Sequence, residues 1–187
     1  MSIGHSVNFG KDAIRTWIWS RYVAQSKILD IGAGGGTYAD LLGPNNYIMD
    51  AIEIYEPALP QLITKYRTTY NMNALYFPFM EDYDLVIMGD VLEHFTAEDG
   101  VKLLNKVKQH CREMVIAVPF MYEQAAEPDN PYEEHKQADL NLEVMSKRYP
   151  DLKLLLLIEN REWVHSDGSP FTFQYAYYVA KGDLFKE

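Results

Sequence analysis

The chain has 187 residues, of which 48% are hydrophobic and 24% charged, and a formal net charge of −10. That length suits one domain with a substantial core, here an N-terminal arm and helix over 1–25 and a core over 26–187. The acidic balance disfavours tight phosphate-backbone binding, which needs clustered Lys and Arg, and the single cysteine, Cys111, excludes an intrachain disulfide and a four-cysteine zinc site.

No basic start leads into a long apolar segment, so no signal peptide is expected. The longest apolar run, Leu154 to Ile158, is far too short to span a bilayer. A cytoplasmic protein is expected. Residues Met1 to Gly10 read as a polar arm. From Lys11 to Gln25, Ile14, Trp17, Ile18 and Tyr22 recur at helical spacing and predict an amphipathic helix. The stretch Lys27 to Leu42, KILDIGAGGGTYADLL, organises the rest. Lys27 to Ile31 is a short, nearly continuous apolar run of the kind buried in parallel sheets. Glycines close it, and a helix pattern restarts at Tyr38. A strand that stops at glycines and resumes as a helix builds a crevice at the strand's carboxyl end. A dinucleotide fingerprint would require glycine where Thr37 stands. The pattern is instead Asp30-x-Gly32-x-Gly34-x-Gly36. It resembles the first motif of the class I S-adenosylmethionine-dependent methyltransferases, small-molecule types. The resemblance implies that Asp30, Gly32, Ala33, Gly34 and Gly36 meet S-adenosylmethionine. It also implies that the preceding helix and arm cover the cofactor; a helix merely packed on the sheet is the plainer alternative.

The second strand is expected over Tyr47 to Ile54. An acid about 20 residues after such glycines is placed to accept from ribose hydroxyls. Glu53, beside Ile54, stands at the strand's end; Asp50 competes but lies inside the strand. Pro57 to Tyr66 reads as a helix with proline in its first turn. A weaker strand spans Tyr70 to Leu75. There the resembled family often has Asp-Ala facing adenine, and this chain has Asn73-Ala74. Asn73 can still accept through its carbonyl oxygen. Tyr76 to Met80 forms an aromatic turn. Asp84 to Asp90 is the clearest later strand, ending on Gly89-Asp90. The continuation Val91-Leu92-Glu93-His94-Phe95 resembles the family's fourth motif. Thr96-x-x-Asp99 then resembles a capping box opening a helix to about His110, with Val101, Leu104 and Val107 along it.

Met114 to Val118 is the fifth strand, stopped by Pro119. Six acids and one lysine lie between Tyr122 and Asp139, with Pro128 and Pro131 making this a loop. It is a candidate lid over the substrate, or a solvated loop. Leu140 to Tyr149 reads as a helix, and Leu152 to Ile158 and Phe171 to Ala180 as the last strands. Phe171-x-Phe173-x-Tyr175-x-Tyr177 alternates as a half-buried strand does. The resemblance implies a Rossmann-like α/β fold. Its seven-stranded, mostly parallel sheet has the order 3-2-1-4-5-7-6, with helices on both faces.

Methyl transfer from a sulfonium needs an acceptor held in line, and a hydroxyl acceptor also needs its proton removed. The base candidates are His94, Asp90, His135 and Glu134. His94 follows the fourth strand and titrates near neutrality when unperturbed; a structural histidine capping the next helix is the alternative. A metal site from Asp90, His94 and Glu134 or His135 has no paired-ligand spacing behind it, so no metal is expected. The favoured function is methylation of a small molecule or glycan, at oxygen or nitrogen. The competing readings are a methyltransferase for protein or nucleic acid, which the charge disfavours, and a non-catalytic cofactor-binding module. No membrane partner is expected, and a homodimer is one option for assembly.

Overall fold

The computed structural model describes residues 9–43, 46–164 and 170–185. Most of the expected N-terminal arm lies outside the described residues. Seven strands form one sheet: β1 (Lys27–Ile31), β2 (Ile48–Glu53), β3 (Thr68–Asn71), β4 (Tyr83–Gly89), β5 (Cys111–Phe120), β6 (Lys153–Val164) and β7 (Pro170–Lys181). Their order is β3-β2-β1-β4-β5-β7-β6. The first five pair in parallel, and β7 pairs antiparallel with both β5 and β6. The helices are α1 (Lys11–Arg21), α2 (Thr37–Leu42), α3 (Leu59–Leu62), α4 (Ala97–Lys108) and α5 (Leu142–Arg148).

The near-continuous apolar strands follow from burial on both faces. Successive side chains of a strand point to opposite faces. Val86, Met88, Met114 and Ile116 therefore join Phe77, Leu103 and Met145 in one core. Leu85, Ile87, Val115 and Ala117 join Ile14, Ile18 and Leu42 in the other. Asp50, the competing acid in β2, is fully buried. It pairs with Arg67 and accepts from the Tyr83 hydroxyl at 3.1 Å. It therefore ties β2 to Arg67, just before β3, and to Tyr83 of β4.

Several boundaries differ from the sequence expectation. The helix expected over Pro57 to Tyr66 is a 3-10 turn at Glu56–Ala58 followed by the single turn of α3. Two prolines, Pro57 and Pro60, each fit only a first turn, so the segment starts twice and gains no length. The third strand ends at Asn71, and Asn73 instead caps a 3-10 turn by accepting from the Leu75 N–H at 2.9 Å. Pro119 does not stop β5, which continues to Phe120. Beyond Ala117, β4 supplies no partner and only β7 flanks the strand, so the missing N–H is tolerated. In α4 the inner face is Gly100, Leu103 and Val107, while Val101 is exposed. Among the described residues no helix is long and apolar enough to cross a membrane.

Candidate active site

β1 and β4 are neighbours, yet the chain leaves β1 toward β2 and returns to place β4 on its other side. The strand order reverses there, and ligands of open α/β sheets sit outside the carboxyl ends at such points. A cavity of about 400 Å³ opens at this edge, within the usual range for small-molecule sites.

One end of the cavity is the turn after β1. Gly32 and Gly34 line it with φ of +69° and +52°, a region that L side chains rarely adopt. A Cβ on Gly32 would also lie 2.2 Å from a methyl of Val91. Glu53, at the end of β2, clasps this turn. One carboxylate oxygen accepts from the Gly34 N–H at 2.8 Å, the other from the Tyr55 N–H at 2.7 Å. Burial pushes the Glu53 pKa up, and these backbone donors oppose the shift. Ala33, Ile54, Asn73, Ala74 and Gly89 also line the cavity. The Asn73 oxygen already holds the Leu75 N–H and has one lone pair left.

Asp30 and Gly36 stand apart from this lining. Asp30 is buried under the turn and accepts from the Tyr66 hydroxyl at 2.5 Å. Burial raises its pKa to about 7, against the pull of that hydrogen bond. Gly36, with φ +79°, precedes α2 on the far side of the turn. Both residues shape the turn from outside the cavity.

The other end is built by the segment after β4 and the loop after β5. Asp90 has φ +56°, and its carboxylate accepts from the Tyr175 hydroxyl at 2.6 Å. A 3-10 turn, Leu92–His94, follows. His94 and His135 meet edge to face with ring centroids 4.8 Å apart. Nδ1 of His94 lies 3.1 Å from the Glu134 carbonyl, and Nδ1 of His135 lies 2.9 Å from the Tyr122 carbonyl. Burial, then the neighbouring His135, depress the His94 pKa to about 4. His94 is thus a neutral imidazole at pH 7, and a weaker base than an unperturbed histidine. Burial lowers His135 as well. Glu134 contributes its backbone carbonyl to His94. The Tyr122–Asp139 segment does face the cavity, through Tyr122, Gln124, Asn130, Tyr132 and Glu133.

Two participants escaped the sequence reading. Tyr175 was legible only as one member of an alternating strand. Glu93 sits between His94 and an apolar residue, and its complete burial depends on the distant loop that covers it.

A family model described as a methyltransferase domain matches residues 29–117. Residues 29–117 are thus similar to a methyltransferase domain. Search of curated proteins finds no match. Among solved structures, an S-adenosylmethionine-dependent methyltransferase from Clostridium acetobutylicum superposes with TM-score 0.66 at 14% identity, covering 94% of this chain and 92% of that one. TehB from Haemophilus influenzae gives 0.64 at 17% identity, over 93% of this chain but only 62% of TehB. The N-methyltransferase NodS from Bradyrhizobium japonicum, solved with S-adenosylhomocysteine, gives 0.60 at 14%, over 89% and 83%. At these identities the structures testify to the methyltransferase fold.

Proposed function

We propose that this methyltransferase domain transfers a methyl group from S-adenosylmethionine to a small-molecule or glycan acceptor, at oxygen or nitrogen. The observation that carries this reading is a single cavity with two unlike ends. A glycine turn clasped by Glu53 lies at one end, and Asp90, His94 and His135 lie at the other. The residues fit the cofactor. The turn at Gly32 and Gly34 lets a ligand approach the backbone closely. Glu53 keeps carboxylate lone pairs beyond those that hold Gly34 and Tyr55, suited to ribose hydroxyls. Asn73 and Ala74 border the same end and suit the base. S-adenosylmethionine brings an already activated methyl group, so the protein's task is orientation and exclusion of water. Tyr122, Tyr132 and Phe173 wall the acceptor end. The cavity volume of about 400 Å³ and the net charge of −10 favour a small acceptor over a polyanion. Structural neighbours include methyltransferases of magnesium protoporphyrin IX and of 1,6-didemethyltoxoflavin, which agrees with an acceptor of that size.

Calorimetry with S-adenosylmethionine and S-adenosylhomocysteine tests the cofactor end. Wild type should bind both. Glu53→Ala should lose roughly 1–3 kcal/mol, the scale of a hydrogen bond to a charged group. Gly34→Val should abolish binding. Unchanged affinity in both variants would remove this assignment. Labelled cofactor with a panel of small hydroxyl, amine and glycan acceptors then reports the acceptor class.

A further inference from the structure

We propose that Glu93, His94 and His135 form a binding site for one divalent transition-metal cation at the acceptor end of the cavity. Glu93 is completely buried, and neither carboxylate oxygen has a hydrogen-bond partner beyond a contact with the residue's own backbone N–H. A buried carboxylate left this way is costly unless a proton or cation satisfies it. The group nevertheless borders the cavity, where a cation could reach it. Two imidazoles converge on the same point. Ligand-type atoms of the three residues all lie within 4.8 Å of one another.

The imidazoles are prepared as ligands. A carbonyl oxygen can only accept, so Nδ1 of His135 facing Tyr122 carries the proton, while the His94 ring lies between two backbone groups, the Glu134 carbonyl at Nδ1 and Asp90. In His135 that tautomer leaves Nε2 with its lone pair, the arrangement found behind metal-bound histidines; in His94 the same tautomer holds once a cation takes the place of the Asp90 contact. The Asp90 backbone makes a lesser contact with the His94 ring, which a cation would have to displace. The positions are also fixed. The Lys136 and Gln137 N–H groups donate to the Glu93 carbonyl at 2.8 and 3.1 Å, and Gln137 Nε2 donates to the Leu92 carbonyl at 2.8 Å. These bonds stitch the loop bearing His135 onto the turn bearing Glu93 and His94. Asp90 and Glu133 add negative charge nearby.

Two imidazoles and one carboxylate suit zinc, iron(II), cobalt(II) or manganese(II) rather than calcium. Bonds of roughly 2.1 Å place ligand atoms about 3–3.5 Å apart, so the side chains would close by about an ångström. The remaining coordination positions would open on the cavity. There the cation would bind an acceptor oxygen and lower the pKa of its hydroxyl. That last role rests on the methyl-transfer reading; the metal site itself does not.

The test uses the full chain, stripped with chelator and titrated with Co2+ and Mn2+. Cobalt absorption and manganese spin resonance report the site, with S-adenosylhomocysteine binding measured in parallel. Wild type should take up one equivalent with micromolar or tighter affinity. Glu93→Gln keeps the shape, and His135→Gln changes only the loop; each should weaken binding at least tenfold with an unchanged melting profile. Wild type without a stoichiometric site overturns the proposal, as do variants that bind like wild type. Metal uptake without S-adenosylhomocysteine binding would uphold the site and sink methyl transfer. Cofactor binding without metal uptake would do the reverse.

Discussion

Asp30 and Asp50 are both acids in adjacent strands, and both are buried, yet their partners give them different chemistry. Asp50 has a guanidinium against it, from Arg67. Asp30 accepts from a phenol hydroxyl at 2.5 Å and feels the Lys11 charge, yet burial outweighs both and lifts its pKa to about 7. A folded-state pKa above the unfolded one means that the folded state binds the proton more tightly. Asp30's contribution to stability is then complete below about pH 4 and is lost as pH rises through 7. Asp30→Asn removes this dependence. The variant should gain on wild type between pH 4 and 8, by up to about 4 kcal/mol at 1.36 kcal/mol per pH unit and less after relaxation. Urea unfolding of both proteins at several pH values, without ligand, measures it. A difference that does not change with pH would mean that Asp30 stays ionised throughout. The sequence placed Asp30 in the motif because of its spacing, and spacing cannot distinguish an acid that faces a ligand from one beneath the turn. Glu53 was legible because it ends its strand, where the side chain has the crevice before it. Glu93 was not, since nothing in Val91-Leu92-Glu93-His94 marks which residue the distant loop will bury.

The turn between β1 and α2 shows how tightly one element depends on the next. Gly32 has φ +69°, and a Cβ there would press within 2.2 Å of a Val91 methyl. Val91 opens the turn that carries Glu93 and His94, so the two ends of the cavity touch through this pair. Gly32→Ala should cost about 2–4 kcal/mol, combining backbone strain with overpacking. Val91→Ala alone should also destabilise, through lost packing. In the double variant the second change opens room for the first, so the combined loss should fall at least 1 kcal/mol short of the sum. Strict additivity by denaturant unfolding would show that the strain is purely backbone. The central strands were legible because buried parallel strands read as continuous apolar runs, and β1 begins and ends where its pattern does. Elements bounded by proline were misjudged in both directions. Pro60 shortens α3 because it demands a first turn, whereas Pro119 leaves β5 intact because only β7 still flanks the strand there.

At the scale of the whole molecule, strand order followed from family resemblance rather than from periodicity, which carries no information on which strands become neighbours. The placement of α1 was likewise open between a cover over the cofactor and a helix packed on the sheet. Ile14 and Ile18 are fully buried in the core shared with Leu85 and Val115. Beyond them, Glu113 of β5 accepts from Arg21 at 2.8 Å and from the Tyr22 hydroxyl at 2.7 Å. At the other end of the helix, the Tyr177 hydroxyl donates to the Phe9 carbonyl at 2.7 Å, and Phe9 packs on Phe173 beside the cavity. Such anchorage at both ends makes α1 part of the cooperative unit. Glu113→Ala leaves the buried Tyr22 hydroxyl without its acceptor, at a cost of about 1–3 kcal/mol. Arg21 is nearly half exposed and adds little to that figure. For a chain of this length the melting temperature should fall by roughly 3–10 °C. Trp17 and Trp19, two of the three tryptophans, lie in α1 and report it by fluorescence. Circular dichroism reports all the helices and strands together. The two melting curves should coincide in wild type and shift together in Glu113→Ala, as one all-or-none transition requires. A fluorescence change that precedes the loss of ellipticity would show α1 leaving a sheet that remains folded, against this cooperative unit.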